Sequence, residues 1–226
     1  MKMSKIAIAT GLAVMGLSGM AQAELSANIG ATSNYVWRGQ TQTQDQAAIS
    51  GGIDYNHDSG FYAGTWVSNI DWGTAGSGEE LDLYLGFSGE ASGIGYDVGA
   101  IRYVYPSIDN SDFTELYGNV TVFSMLTVGL AYTIDGESGG AYDSGDLYYY
   151  GSASFDLGDG WSVGGTLGHY SFDKATNSDY SHVQLDVTKS AGDYGDFTFS
   201  LSNIFDQDGN AYDNDLMPFV SWSKSF

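Results

Sequence analysis

Apolar and polar residues alternate with period two along almost the whole chain, the mark of strands with one face apolar and one polar. The first run sets Leu25, Ala27, Ile29, Ala31, Tyr35 and Trp37 against Ser26, Asn28, Thr32, Asn34 and Arg38. The second sets Ala47, Ile49, Ile53 and Tyr55 against Gln46, Ser50 and Asp54, and the fourth Leu81, Leu83, Leu85 and Phe87 against Glu80, Asp82, Tyr84 and Ser88. The third, Phe61 to Ile70, carries aromatics in both phases. In the fifth, Ile94, Tyr96 and Val98 share one parity while Ile101, Tyr103 and Tyr105 share the other. A β-bulge near Gly99 is the expected cause, because one extra residue flips every later side chain. Later runs follow at Thr114–Val122, Leu126–Ile134, Leu147–Phe155, Trp161–Tyr170, Val183–Val187, Phe197–Leu201 and Leu216–Phe226.

That makes about twelve strands of roughly ten residues, the length a tilted strand needs to cross a bilayer. The connections sort by length. After even strands they are short, as at His57–Gly60, Glu90–Gly93, Phe123–Ser124, Gly158–Gly160 and Ser190–Asp193. After odd strands they are long: Gln40–Asp45, Asp71–Glu79, Pro106–Phe113, Asp135–Gly145, Ser171–Asp179 and Asp206–Asp215. Short turns at one end and long loops at the other give a barrel its sidedness in an outer membrane. The fold class expected is all-β, a transmembrane antiparallel up-and-down β-barrel, and the terminal Phe226 fits the aromatic end such barrels carry. Tyr35 and Trp37 are expected at the lipid headgroups, with the other aromatics forming interface girdles.

The amino terminus reads differently. Lys2 and Lys5 precede an apolar run from Ile6 to Met20, and Ala21-Gln22-Ala23 is a small-x-small site. Residues 1–23 are therefore expected to be a secretory signal peptide, and residues 24–226 the barrel. The apolar run is shorter than the ~20 residues of a spanning helix. The chain has no cysteine, so no disulfide framework is available.

Seven Lys and Arg stand against 28 Asp and Glu, for a formal net charge of −21. Phosphate contacts require cations, so nucleic acid is not an expected partner. The expected partners are the lipid bilayer, lipopolysaccharide, small solutes and further copies of the chain in a homo-oligomer. The acidic loops would draw cations to the mouth.

Residues 33–69 carry a more specific pattern: Ser33-Asn-Tyr-Val-Trp-Arg-Gly39, Thr41-Gln-Thr43, Gly51-Gly-Ile-Asp-Tyr55, His57, Ser59-Gly-Phe-Tyr62, Gly64-Thr-Trp66 and Ser68-Asn69. These residues resemble the signature of the TorF-like porin family of Gram-negative bacteria, formerly a family of unknown function. The resemblance implies location in the cell outer membrane and porin activity. It brings no substrate and no catalytic residues.

Candidate lumen residues follow from the phases. Arg38, and Arg102 if the bulge near Gly99 is present, would face carboxylates drawn from Asp54, Glu80, Asp82, Asp97 and Asp146. Cations opposite carboxylates set the transverse field of a pore; the same Arg residues would serve equally as structural ion pairs. Asp206-Gln-Asp208-Gly-Asn210 opens like a calcium loop but has Ala211 where Gly is required and Met217 where Glu is required. His57, His169 and His182 show no metal-ligand spacing, although the last two fall on neighbouring strands. No metal and no cofactor is expected. The reading is an outer-membrane porin that passes small solutes through a polar lumen and prefers cations. Its alternatives are a non-conducting structural or surface-binding barrel, a barrel-wall hydrolase using Ser152, Ser154 and His169, and a soluble secreted β-protein.

Overall fold

A computed structural model describes residues 24–137, 141–209 and 212–226. The expected signal peptide lies outside the described residues. Among the described residues fourteen strands form: β1 (Glu24–Thr32), β2 (Val36–Trp37), β3 (Gln40–Thr41), β4 (Ala48–Asn56), β5 (Phe61–Asp71), β6 (Ser77–Ala91) and β7 (Ile94–Val104), then β8 (Phe113–Val122), β9 (Leu126–Gly136), β10 (Leu147–Gly158), β11 (Trp161–Ser171), β12 (Tyr180–Ser190), β13 (Asp196–Phe205) and β14 (Met217–Ser225). Twelve of them close an antiparallel barrel in which each strand pairs with its sequence neighbours and β1 pairs with β14. The other two, β2 and β3, pair only with each other.

The wall alternates as its sequence does. Leu25, Ile49, Val128, Leu167, Leu185 and Val220 are each more than half exposed on the outer surface. Ser154, Thr166, Gln184, Ser200 and Ser202 point inward and are buried. An apolar outer belt of this extent is unfavourable in water and favourable in lipid. Short turns close one end. Ser92–Gly93 and Asp159–Gly160 have φ of 55° and 79° and of 51° and 75°, the paired positive φ of a type I′ hairpin turn, whose twist matches that of the strands. Phe61, Phe87, Phe123, Trp161, Tyr194 and Phe226 stand exposed toward this end.

Two expectations are corrected here. The bulge near Gly99 is absent: β7 keeps unbroken register with β6 and with β8. Ile101, Tyr103 and Tyr105 are buried, in phase with Asp97, because a cluster of apolar and aromatic side chains fills the lumen at this level. Register shifts lie instead between Thr114 and Glu115 on the β8–β9 pair and between Asp156 and Gly158 on the β10–β11 pair. The first strand also does not run on to Arg38. It ends at Thr32, and the chain turns into the barrel as the β2–β3 hairpin.

Candidate functional site: a hairpin lodged in the lumen

Residues 33–47 form the first long loop, and local polar bonding makes it a hairpin. Gln42 donates its N–H to the Tyr35 carbonyl at 2.6 Å, and Tyr35 donates its own to Thr43 Oγ1 at 3.1 Å. Asn34 Nδ2 donates to Asp45 Oδ1 at 2.7 Å, while Asn34 Oδ1 accepts from Thr41 Oγ1 at 2.6 Å. The uncharged run after Gly39 is thus the knot at the hairpin root. At the tip, Arg38 and Gly39 have φ of 48° and 85°. A Cβ on Gly39 would also meet His182 Cβ at 2.6 Å, so only glycine lets the tip lie this close to β12.

The tip reaches across the lumen. Arg38 Nη1 and Nη2 each donate to Glu115 of β8, both at 2.7 Å, with the two side chains 11% and 1% exposed. The guanidinium carbon lies 4.2 Å from the ring centroids of Trp37 and Tyr148 and 5.2 Å from that of Tyr170. This is a bidentate ion pair in an aromatic cage, the geometry for which a planar guanidinium is suited and an ammonium is not. Tyr170 and Tyr103 donate their hydroxyls to the same carboxylate at 3.3 and 3.4 Å. Trp37 packs edge-on to Tyr103 and Tyr142, with ring centroids 5.7 and 5.6 Å apart. Tyr35 donates to Glu80 at 2.8 Å and meets Trp66 edge-on; Gln40 donates to Tyr180 at 2.8 Å; Trp72 donates to Gln42 at 2.9 Å. The expected headgroup positions of Tyr35 and Trp37 are therefore corrected. Both lie inside, where an apolar ring from Ile70, Ile101, Phe113, Tyr170, Tyr180 and Ile204 receives them. Burial pushes the Tyr142 phenol, which packs on Trp37, above its ordinary value.

The other candidates divide. Asp54 accepts from Tyr84 and from Asn28, and Asp97 accepts from Tyr62 at 2.7 Å, on the polar half of the lumen nearer the turns. Tyr62 and Tyr117 bond each other there. Glu80 and Asp82 lie beside the hairpin, 2% and 3% exposed. Asp82 Oδ1 and Asp97 Oδ2 have no hydrogen-bond partner among the described residues. Asp146 lies in the loop before β10 and accepts N–H bonds from Asp143 and Asp173, both at 2.9 Å; burial raises its carboxyl from the ordinary value and those bonds oppose the rise. Arg102 is out of phase with Ile101 and Tyr103 and does not meet Arg38. It pairs with Asp135 at 2.9 Å and Asp112 at 3.3 Å on the outer face by the long-loop rim.

Sequence reasoning passed over Glu115. The signal was present, since Glu115 is in phase with Tyr117 and opposed to Leu116 and Val120, but nothing local tied it to Arg38. His169 and His182 do not come together: His169 bonds Ser181 and packs on the exposed Tyr149, whereas His182 is buried and bonds Tyr148 at 2.9 Å. Ser152 stands opposite Thr166 and Ser154 opposite Gly164, while His169 stands opposite Tyr149, so the hydrolase arrangement is not assembled. Asn210 and Ala211 of the calcium-like run lie outside the described residues. Among the described residues no three His, Cys, Asp or Glu side chains are grouped to hold a metal ion.

Solved structures with this architecture include the KdgM porin, at TM-score 0.58 and 10% identity over 89% of this chain and 98% of that one. An outer membrane channel from Pseudomonas putida F1 matches at TM-score 0.58 and 11% identity, over 92% and 97%. The NanC porin matches at TM-score 0.56 and 11% identity, over 88% and 98%. At these identities the likeness is one of fold. No curated protein sequence matches the chain. The family is given by a sequence model that covers residues 17–215: the chain belongs to the family described as bacterial protein of unknown function (Gcw_chp).

Proposed function

We propose that the protein is an outer-membrane porin that passes small solutes and prefers cations. The observation that carries this reading is the closed twelve-stranded wall with an apolar outer belt, a polar inner face and loops sorted by length between its two ends. Water-soluble barrels have no use for such a belt, and a lipid-exposed wall cannot leave a strand edge unpaired. The porin and channel folds it resembles, and the TorF-like pattern of residues 33–69, support the same reading. Secretion through a signal peptide of residues 1–23 belongs to it.

The cation preference is supported by the lumen charges. Arg38 is neutralised by Glu115, and Asp54, Glu80, Asp82, Asp97 and Asp186 have no ion-pair partner among the described residues. Rings of carboxylate favour cations in a pore. The KdgM porin has been solved in complex with oligogalacturonate, a polyanion; the unpaired carboxylates of this lumen support a preference for cations instead. Arg102, on the outer rim, takes no part in that selectivity.

The test is single-channel recording in a planar bilayer, on protein whose folding is checked by heat-modifiable migration. Discrete conductance supports the porin reading, and its absence with the hairpin deleted defeats it. A second reading, a barrel that stays shut, is favoured by one feature. Phe113, Tyr170, Tyr180, Thr133 and Ser202 are all 0% exposed, so the layer around the hairpin excludes water. Conductance that appears only after residues 34–43 are deleted would favour this second reading.

A further inference from the structure

We propose that the cage around Glu115 is a binding site for a guanidinium group, filled in this conformation by the chain's own Arg38, and that a guanidinium solute displaces the hairpin tip and opens the lumen. The opening step rests on the porin reading; the binding step does not.

Three observations carry it. First, the cage survives without the hairpin. Glu115, Tyr103, Tyr148 and Tyr170 all belong to barrel strands, and only Trp37 leaves with the tip. What remains is a buried carboxylate with both oxygens in use toward Arg38, oriented by two phenols and lying beside the face of Tyr148. That set matches a planar fork of parallel N–H donors against an aromatic plane. A lysine-type ammonium fills it poorly, because it cannot form the two parallel bonds.

Second, the hairpin is separable from the wall. The strands β2 and β3 pair only with each other, so the barrel ladder is complete without them. Backbone hydrogen bonds tie the loop near its root, where Ser33 donates to Val220 at 2.9 Å and Asp71 donates to Gln42 at 2.8 Å. The tip is held by side chains, above all Arg38 on Glu115 and Gln40 on Tyr180. Third, Glu115 is 1% exposed with the tip in place and gives both its oxygens to Arg38, so withdrawing the tip removes two charge-assisted bonds that only another planar fork of donors restores. Release of Arg38 therefore favours whatever cation replaces it, and the cage selects a guanidinium.

The experiment uses the full folded barrel and L-arginine amide as the probe, with L-lysine amide and sodium chloride at equal ionic strength as controls. Acrylamide quenching of tryptophan fluorescence in detergent reads the tip directly. Millimolar L-arginine amide is expected to increase quenching, L-lysine amide is not, and the increase should vanish in Trp37→Phe and in Glu115→Gln. In the bilayer, conductance is expected to rise by about tenfold with L-arginine amide and to be high without it in Arg38→Ala. Equal quenching by both amides, or none by either, overturns the guanidinium site. An Arg38→Ala channel that conducts while the unmodified protein ignores L-arginine amide overturns ligand-driven opening and leaves the porin reading standing. Quenching that responds to L-arginine amide, with no conductance in any variant, upholds the site and sinks the porin reading.

Discussion

Arg38 is the residue on which the interior turns. Its two bonds to Glu115 are made where neither group reaches water freely, and so each depends on the other. Replacing one partner strands the other charge, at a cost of about 3–5 kcal/mol to the docked hairpin. Replacing both by apolar residues of similar size removes that penalty. Arg38→Ala is therefore expected to accelerate amide exchange across residues 35–43, while Arg38→Met combined with Glu115→Leu restores most of the protection. The barrel strands, whose ladder does not include the hairpin, should exchange alike in all three proteins. Equal exchange in the single and double variants would show that the charge pair does not hold the tip. The phase that turned Arg38 inward in the sequence belongs to a strand that ends at Thr32; the hairpin carries Tyr35, Trp37 and Arg38 inward together. The partner of Arg38 was not legible either, because 77 residues separate it from Glu115 and no local pattern spans that distance.

At the scale of the element, β7 shows how an alternation is misread. A change in apolar phase at Ile101 suggests a bulge if every barrel lumen is assumed polar. Here Ile101, Tyr103 and Tyr105 stay inward because the first loop supplies aromatic partners for them, and Arg102 is left outside with Asp112 and Asp135. The absence of cysteine makes this testable residue by residue. In Arg102→Cys the thiol is expected to react readily with a water-soluble maleimide at the outer rim, and in Ile101→Cys to resist it. Labelling should reach position 101 once residues 34–43 are deleted. The reverse pattern would restore the bulge. The hairpin β2–β3 is the other element hidden in the sequence. Its two strands have two residues each, too short for any period, and its aromatics imitate a headgroup belt.

At the scale of the whole molecule, the proposed cation preference rests on the balance of charges in the lumen. In a potassium chloride gradient the reversal potential is expected to have the sign of cation selectivity. Asp54→Asn together with Asp97→Asn should move it toward zero, since these side chains line the polar half of the lumen. Arg102→Gln should leave it unchanged. An anion-selective potential, or a shift with Arg102→Gln that matches that of the aspartate pair, would reject the assignment of the lumen charges.

What the sequence determined by itself was the wall. Period two, strand length and loop sorting all arise between neighbours along the chain or between adjacent strands, and each strand must show lipid one face and the lumen the other. Leu81, Leu83 and Leu85 could be placed outside from their spacing alone. What only the tertiary structure decided was the content of the barrel. Whether Tyr35 and Trp37 enter headgroups or the lumen depends on what waits on strands far away in sequence. That is settled by Glu115, Tyr148 and Tyr170 converging on a point that no single strand defines.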